Sequence, residues 1–467
     1  MGTATRPRRR GRAIVRSLLT VVLVAGIAAG GVVTYRQLAD REELPPGFPA
    51  RPAAIAVAPL IRAVSPTARQ PTAAGVTRAV AASLRDPALG TLTGQVSDAL
   101  TGQVLWSRGP DRPRTPASNA KILTASAVLL ALPHDKRLTT TAYLDDDTVI
   151  LKGAGDPTLT AQPTDADTFY TDPARLTDLA AQIRRSGVRV RAVAVDLSAY
   201  NGPTMDDSWD DADIAGGDIT PIESLIVDGG RSDDPLDEFS PRVEKPGLAA
   251  GRALAALLDV AGEVTEETAP TDAREIATVT SAPLVTRVND MMRFSDNVLA
   301  ETLSVELSTA TGGPATLDGG AKAVRKVLAD KGFDVSSVTL EDASGLSQDD
   351  RVPARLLDAL MGAASGPTAD AATAERDTLL RPMLDGLPIA AGTGTLAERF
   401  DPETNPGAGW VRAKTGTLTG VSSLTGIVQT VDGRVLSFAL MSGGTSPADA
   451  RPALDAIAGD LRECGCS

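Results

Sequence analysis

The chain has 467 residues, enough for two or three domains with a large core. Only two cysteines occur, Cys464 and Cys466 at the C-terminal end, which excludes a disulfide scaffold and a Cys-rich zinc site; a small loop disulfide and two free thiols both fit. The net charge is −13, and the first 16 residues hold six arginines and no acid, so the body is more acidic still and argues against nucleic acid as a partner.

The basic segment 1–16 precedes an uncharged stretch, 17–34, whose 18 residues are just enough to cross a bilayer core as a helix. Arginines on its N-terminal side place that end in the cytoplasm and the rest outside. We expect a transmembrane signal anchor. The competing reading is a cleaved signal peptide, for which Ala28-Ala29-Gly30 is the only tolerable site nearby. Either way the protein is expected to work outside the cytoplasm. Residues 35–72 are rich in Pro, Ala and Arg and read as a linker. A helix is expected over 74–84, then strands over 90–96 and 103–107.

A loop carrying Pro113 and Pro116 then breaks into a run of helix formers, 119–130. Ser118 falls at its start, where free N–H groups and the positive dipole end favour negative charge. Lys121, three residues on, shares its face, so its amine can approach the Ser118 hydroxyl. A serine beside a base meets the requirement for acyl transfer through a covalent intermediate, although Ser-x-x-Lys alone also describes an N-cap serine near an unrelated lysine. His134, the only histidine, lies about four turns along that helix and reads as an exposed turn residue. Any hydrolase here must therefore take lysine or a carboxylate as its base.

From 138 the pattern changes to strands and loops: strands over 139–144, 148–152, 188–196 and 276–281, helices over 174–186 and 246–260. The acidic loop 206–218 does not have EF-hand spacing and reads as solvated; no metal and no cofactor are implied. Helices return over 283–293, 297–307, 315–331, 353–364 and 372–384. Strands over 410–413, 422–431 and 434–442 and a helix over 447–462 close the chain. A serine helix held between early and late antiparallel strands implies one α/β (α+β) domain, 73–137 with 286–467, split by an inserted domain, 138–285.

Ser295-Asp296-Asn297 falls between two helical segments, and Lys414-Thr415-Gly416 lies in the late strand region. Ser-x-x-Lys, Ser-Asp-Asn and Lys-Thr-Gly in that order form the signature of penicillin-binding proteins and serine β-lactamases. The gap of 174 positions between Lys121 and Ser295 exceeds what a compact β-lactamase uses. In this the chain resembles the D-alanyl-D-alanine carboxypeptidase/endopeptidases, class C penicillin-binding proteins of the DacB type. The stretches Gly153-Ala154-Gly155-Asp156-Pro157, Asp342-Ala343-Ser344-Gly345 and Gly394-Thr395-Leu396 agree, with Ala154 and Ala343 where the family often has glycine. The resemblance covers roughly 73–462.

It implies a penicillin-binding-protein/β-lactamase-like transpeptidase fold, peptidoglycan stem peptides as substrates and β-lactams as covalent inhibitors. Ser118 would be the nucleophile, Lys121 its base and Ser295 a proton relay. Asn297 would hold the substrate amide or the Lys121 amine; Lys414, Thr415, Gly416 and Thr417 would line the substrate-binding strand, with hydroxyls for a carboxylate. Backbone N–H groups of Ser118 and Thr417 would form the oxyanion hole. For Asp156 and Ser344 a structural role is as good a reading, a turn and a cleft-shaping loop. Two alternatives stand beside this one. A β-lactamase with Ser-Asp-Asn carries a deacylating Glu four residues before an Asn, and no Asn here has one. A membrane-anchored sensor of β-lactams or wall peptides needs a signalling route inward, for which about 16 residues are too few.

Overall fold

The computed structural model describes residues 67–366 and 373–465. The expected basic segment, anchor and most of the linker lie outside them, as does Cys466. Among the described residues no helix is long and apolar enough to cross a membrane.

In chain order, helix α1 (Ala73–Ala79) and strands β1 (Thr93–Asp98) and β2 (Val104–Arg108) lead to a 3-10 turn, Ala117–Asn119, and helix α2 (Ala120–Ala131). Strands β3 (Thr139–Asp145) and β4 (Thr148–Lys152), helix α3 (Leu176–Arg185), strand β5 (Ala192–Asp196), helices α4 (Ala212–Gly216) and α5 (Pro246–Leu257), and strands β6 (Thr265–Glu266) and β7 (Arg274–Thr280) follow. Helices α6 (Leu284–Phe294), α7 (Asn297–Ala310), α8 (Leu317–Asp330), α9 (Ala354–Ser365) and α10 (Ala374–Leu380) come next. Strands β8 (Val411–Leu418), β9 (Val421–Gln429) and β10 (Val435–Gly443) and helix α11 (Pro447–Glu463) complete it.

The first and last strands share one sheet of five, ordered β2-β1-β10-β9-β8 and antiparallel throughout. Its middle strands β1 and β10 are buried along their whole length because both faces are covered. On one face α1 and α11 pack through Val76, Leu454, Ile457 and Leu461 against Val96, Phe438 and Leu440. On the other, Ala439 and Met441 meet a larger core built from α2 and α6 to α9. Helix α2 is the hub of that core: every residue from Ala120 to Leu130 is buried, polar ones included. A helix buried all round lies inside a domain, and this one carries the serine turn at its head.

The middle of the chain builds a second sheet, ordered β6-β5-β4-β3-β7, with a parallel β4–β5 pair joined through α3. It keeps its own core under α3 and α5, around Leu151, Val193, Leu179 and Leu254. A smaller cluster of Trp209, Ile219, Ile222 and Ile226 packs on Val298 and Val305 of α7 and Leu317 of α8. The segments after the second sheet's strands thereby reach the helices that flank the serine.

Several elements differ from expectation, each for a local reason. Helix α1 stops at Ala79 rather than 84; a second turn at Ser83–Arg85 is drawn onto α11, where the Ser83 hydroxyl donates to Asp460 Oδ2 at 2.6 Å. Strand β5 begins at Ala192 although Val188 and Val190 continue the alternation. Its parallel partner begins at Thr148, paired with Ala192, so the earlier residues have no ladder to join. Helix α10 gives way at Leu380 to a 3-10 segment, Arg381–Gly386, because Pro382 cannot continue an α-helix. His134 is half-buried rather than exposed, with Nε2 3.1 Å from the Leu129 carbonyl. The acidic loop spends its carboxylates on its own turns: Asp206 Oδ1 accepts the Ser208 N–H and Asp210 Oδ1 that of Ala212, both at 2.9 Å.

Candidate active site

Ser118 is the middle residue of the 3-10 turn before α2, and it is half-buried, reachable from outside. Three contacts fix the turn. Asn119 is fully buried and donates from Nδ2 to Thr425 Oγ1 on β9 at 3.2 Å, and the Ser423 hydroxyl donates to the Pro116 carbonyl at 2.7 Å. Gly416 on β8 lies so close that a Cβ there would stand 2.7 Å from the Pro116 carbonyl. From the other side Gly345, at φ +80, approaches the Ala117 carbonyl; a Cβ would sit 2.0 Å from it. Glycine at both positions lets two backbones close on the serine.

Lys121 is fully buried one turn further on. Its Nζ lies 3.1 Å from Ser118 Oγ, 2.5 Å from Asn297 Oδ1 and 2.7 Å from the Ser344 carbonyl. Burial pushes this amine down to about 8, against the pull of Asp342, Glu301, Asp296 and Asp218, which favour the ammonium. Asn297 opens helix α7 and also donates from Nδ2 to the Asp218 carbonyl at 3.0 Å. Asp296 caps that helix, its Oδ1 accepting the Leu299 N–H at 2.8 Å.

Ser295 ends α6 in the left-handed conformation, φ 58° and ψ 30°, uncommon for a residue with a Cβ. Lys414 Nζ donates to its Oγ at 2.8 Å and to the Thr415 carbonyl at 2.8 Å. Lys414 is fully buried, and burial together with the nearby Lys121 cation holds it well below the usual lysine range. Strand β8 runs through Leu418, five residues beyond the expected end, because β9 pairs with it along its length. Lys414, Thr415, Gly416 and Thr417 therefore all stand on one edge strand beside Ser118. The Thr415 hydroxyl meets Thr395 Oγ1 at 2.8 Å, and Arg451 Nε of α11 donates to Thr417 Oγ1 at 3.2 Å.

All eight residues expected from the sequence thus fall in one place. The structure adds Thr395, Arg451 and the Ser344 carbonyl. Thr395 and Ser344 lie in stretches already noted as family-like; Arg451 had no local signal. Asp156 is remote in role: its Oδ1 accepts the N–H and hydroxyl of Thr158 at 3.0 and 2.6 Å, an Asx turn. Behind the Ser344 loop lies a buried acid, Glu301, which accepts the Ala343 N–H at 3.0 Å and is raised by burial and by Asp342 to about 8.

The D-Ala-D-Ala carboxypeptidase 3 (S13) family matches residues 76–238 and 236–464. The chain belongs to this family. Over 471 residues it is 45% identical to carboxypeptidase DacB of Mycolicibacterium smegmatis, covering 99% of both chains. A carboxypeptidase of Mycobacterium tuberculosis is 48% identical over 411 residues, 86% of this chain and 87% of that one. Among solved structures, penicillin binding protein 4 (dacB) of Haemophilus influenzae superposes with a TM-score of 0.66 at 20% identity, over 83% of this chain and 98% of its own. The same protein complexed with a β-lactam gives 0.61 at 19% identity, with the same coverage. At that identity the likeness shows the fold, an α/β penicillin-binding-protein architecture.

Proposed function

We propose that the chain is a serine-type D-Ala-D-Ala carboxypeptidase acting on peptidoglycan stem peptides through an acyl-enzyme on Ser118. The observation that carries the reading is the set of partners around Lys121. A neutral amine has two N–H bonds and one lone pair. Asn297 Oδ1 and the Ser344 carbonyl take the two N–H groups, which leaves the lone pair for the Ser118 hydroxyl at 3.1 Å. Burial keeps part of the amine neutral near physiological pH.

In the first step the Ser118 proton moves to Lys121 and Oγ bonds to the carbonyl carbon of the penultimate D-alanine. The oxyanion forms against the N–H groups of Ser118 and Thr417. The C–N bond then breaks; the departing amine takes a proton passed through Ser295, and the terminal D-alanine leaves. Water, activated by Lys121, cleaves the ester and regenerates Ser118. The substrate's terminal carboxylate binds Lys414, Thr415 and Thr417. The same amide chemistry at a cross-link between two stem peptides gives endopeptidase activity, and a β-lactam presents the same carbonyl and carboxylate. Residues 17–34 would anchor the enzyme to the cell membrane with its body outside, where this substrate lies.

The test is release of D-alanine from a stem pentapeptide by the soluble part of the chain, with Lys121→Ala folded but reduced by several orders of magnitude. Retained turnover in Lys121→Ala would overturn the mechanism.

A further inference from the structure

Asp296 sits between Ser295, which meets Lys414, and Asn297, which meets Lys121, yet touches neither lysine's hydrogen-bonded atoms itself. Two side chains from far earlier in the chain hold it. The Tyr170 hydroxyl donates to Asp296 Oδ2 at 2.7 Å, and Arg231 Nη2 reaches the same oxygen at 3.3 Å. Arg231 Nη1 also donates to the Tyr170 oxygen at 3.1 Å, so the three groups close a triangle. The Arg231 and Asp296 side chains are 1% and 2% exposed. The triangle is itself braced. Arg231 lies 3.7 Å over the Phe169 ring and donates from Nε to the Asp237 carbonyl at 3.0 Å. Thr171 donates its N–H and hydroxyl to Asp290 on α6 at 2.8 and 2.9 Å, and Phe169 packs on Phe294 at 4.6 Å.

Segment 169–171 and Arg231 therefore grip both sides of the turn in which Ser295 takes its left-handed backbone. Such a conformation persists where its surroundings over-determine it. We propose that Tyr170 and Arg231 are positioning residues for the reaction, clamping Asp296 so that Ser295 Oγ stays on Lys414 and Asn297 Oδ1 on Lys121. This rests on the acyl-transfer reading above. Neither residue touches substrate; both act through Asp296. Burial and the neighbouring Asp296 charge raise the Tyr170 phenol, which keeps it a donor at every working pH.

The clamp also keeps Asp296 charged. Burial would raise the Asp296 carboxyl, but Arg231 and Arg242, with the hydrogen bonds from the Leu299 N–H and the Tyr170 hydroxyl, outweigh it and hold it below the ordinary value. The other ionisable groups facing it are Asp290 of α6, Glu238 of the loop between α4 and α5, and Lys121 of α2. Removing Arg231 takes away the largest of these opposing influences, so the carboxyl rises towards its ordinary value.

The experiment measures D-alanine release by the wild type, Tyr170→Phe, Arg231→Met and Arg231→Lys. Active sites are counted by penicillin labelling, and folding is checked by circular dichroism and melting. Tyr170→Phe keeps the ring and loses the hydroxyl's hydrogen bonds to two charged groups, Asp296 and Arg231; kcat per labelled site should fall about ten- to a hundredfold with KM little changed. Arg231→Met should lower kcat further with KM again little changed, and Arg231→Lys should restore part of that loss. If Tyr170→Phe and Arg231→Met melt at lower temperature but keep wild-type kcat per labelled site, the clamp is structural only and the proposal fails. A wild type that releases no D-alanine overturns the acyl-transfer reading, and the clamp with it.

Discussion

The sharpest consequence of the Lys121 environment is a pH profile. An amine titrating at about 8 is roughly one-tenth neutral at pH 7, whereas one at the ordinary value of 10.5 is neutral in only about one molecule in 3,000. Burial thus raises the working fraction of base about 300-fold at that pH. The sign follows from the role. Below its pKa the amine is an ammonium and cannot take the Ser118 proton, so activity is lost as pH falls through 8. The logarithm of kcat/KM for D-alanine release should rise with unit slope from about pH 6 and level off above about 8. Asp342→Asn removes the strongest of the four carboxylate influences that favour the ammonium, so the same limb should move to lower pH. A limb centred near 10, or a flat profile, would refute the assignment of Lys121 as the base.

Three further outcomes are open to measurement. Arg434 bonds Asp98 through Nε at 2.8 Å and Nη2 at 3.0 Å with both side chains buried, so Asp98→Ala strands a buried guanidinium and should cost about 3–5 kcal/mol in urea unfolding; a loss under about 1 would contradict that. Arg451 places a cation on Thr417, so Arg451→Gln should raise KM for the peptide by roughly three- to tenfold and leave kcat nearly unchanged. Penicillin should acylate Ser118 faster than the adduct is released, since the opened ring keeps its amine tethered and the buried Glu301 is engaged by the Ala343 N–H. Intact-mass spectrometry should find one adduct on the Ser118 peptide and none in Ser118→Ala, and rapid steady turnover without an adduct would point to a β-lactamase instead.

The helices around the serine were legible because apolar runs there are long and are punctuated by Pro and Gly. The strand partners were not. Alternation says that a segment is a strand, but not that β7 returns to pair with β3 or that β4 and β5 run parallel. The central strand β1 hides its inward face altogether. Gln95 and Ser97 point into the protein and donate to the Asp358 carboxylate of α9 at 2.8 and 2.5 Å, so buried positions there are polar and show no apolar period.

The site divides in the same way. Ser118 with Lys121, and Ser295 with Asn297, are pairs set by local backbone geometry, and Lys414 to Thr417 are consecutive on a strand; fixed spacing makes such groups readable. What gives them their chemistry is not local. The depressed Lys121 amine depends on complete burial and on carboxylates at 218, 296, 301 and 342, positions scattered over more than a hundred residues. The third Lys121 contact is a backbone carbonyl, which any residue at position 344 would supply and which no motif can therefore record. Arg231 and Tyr170 are 61 positions apart and meet only because their segments converge on the mouth of α7. The motifs name the groups that react; the segments folded around the second sheet supply the contacts that hold the Ser295–Asn297 turn where those groups can react.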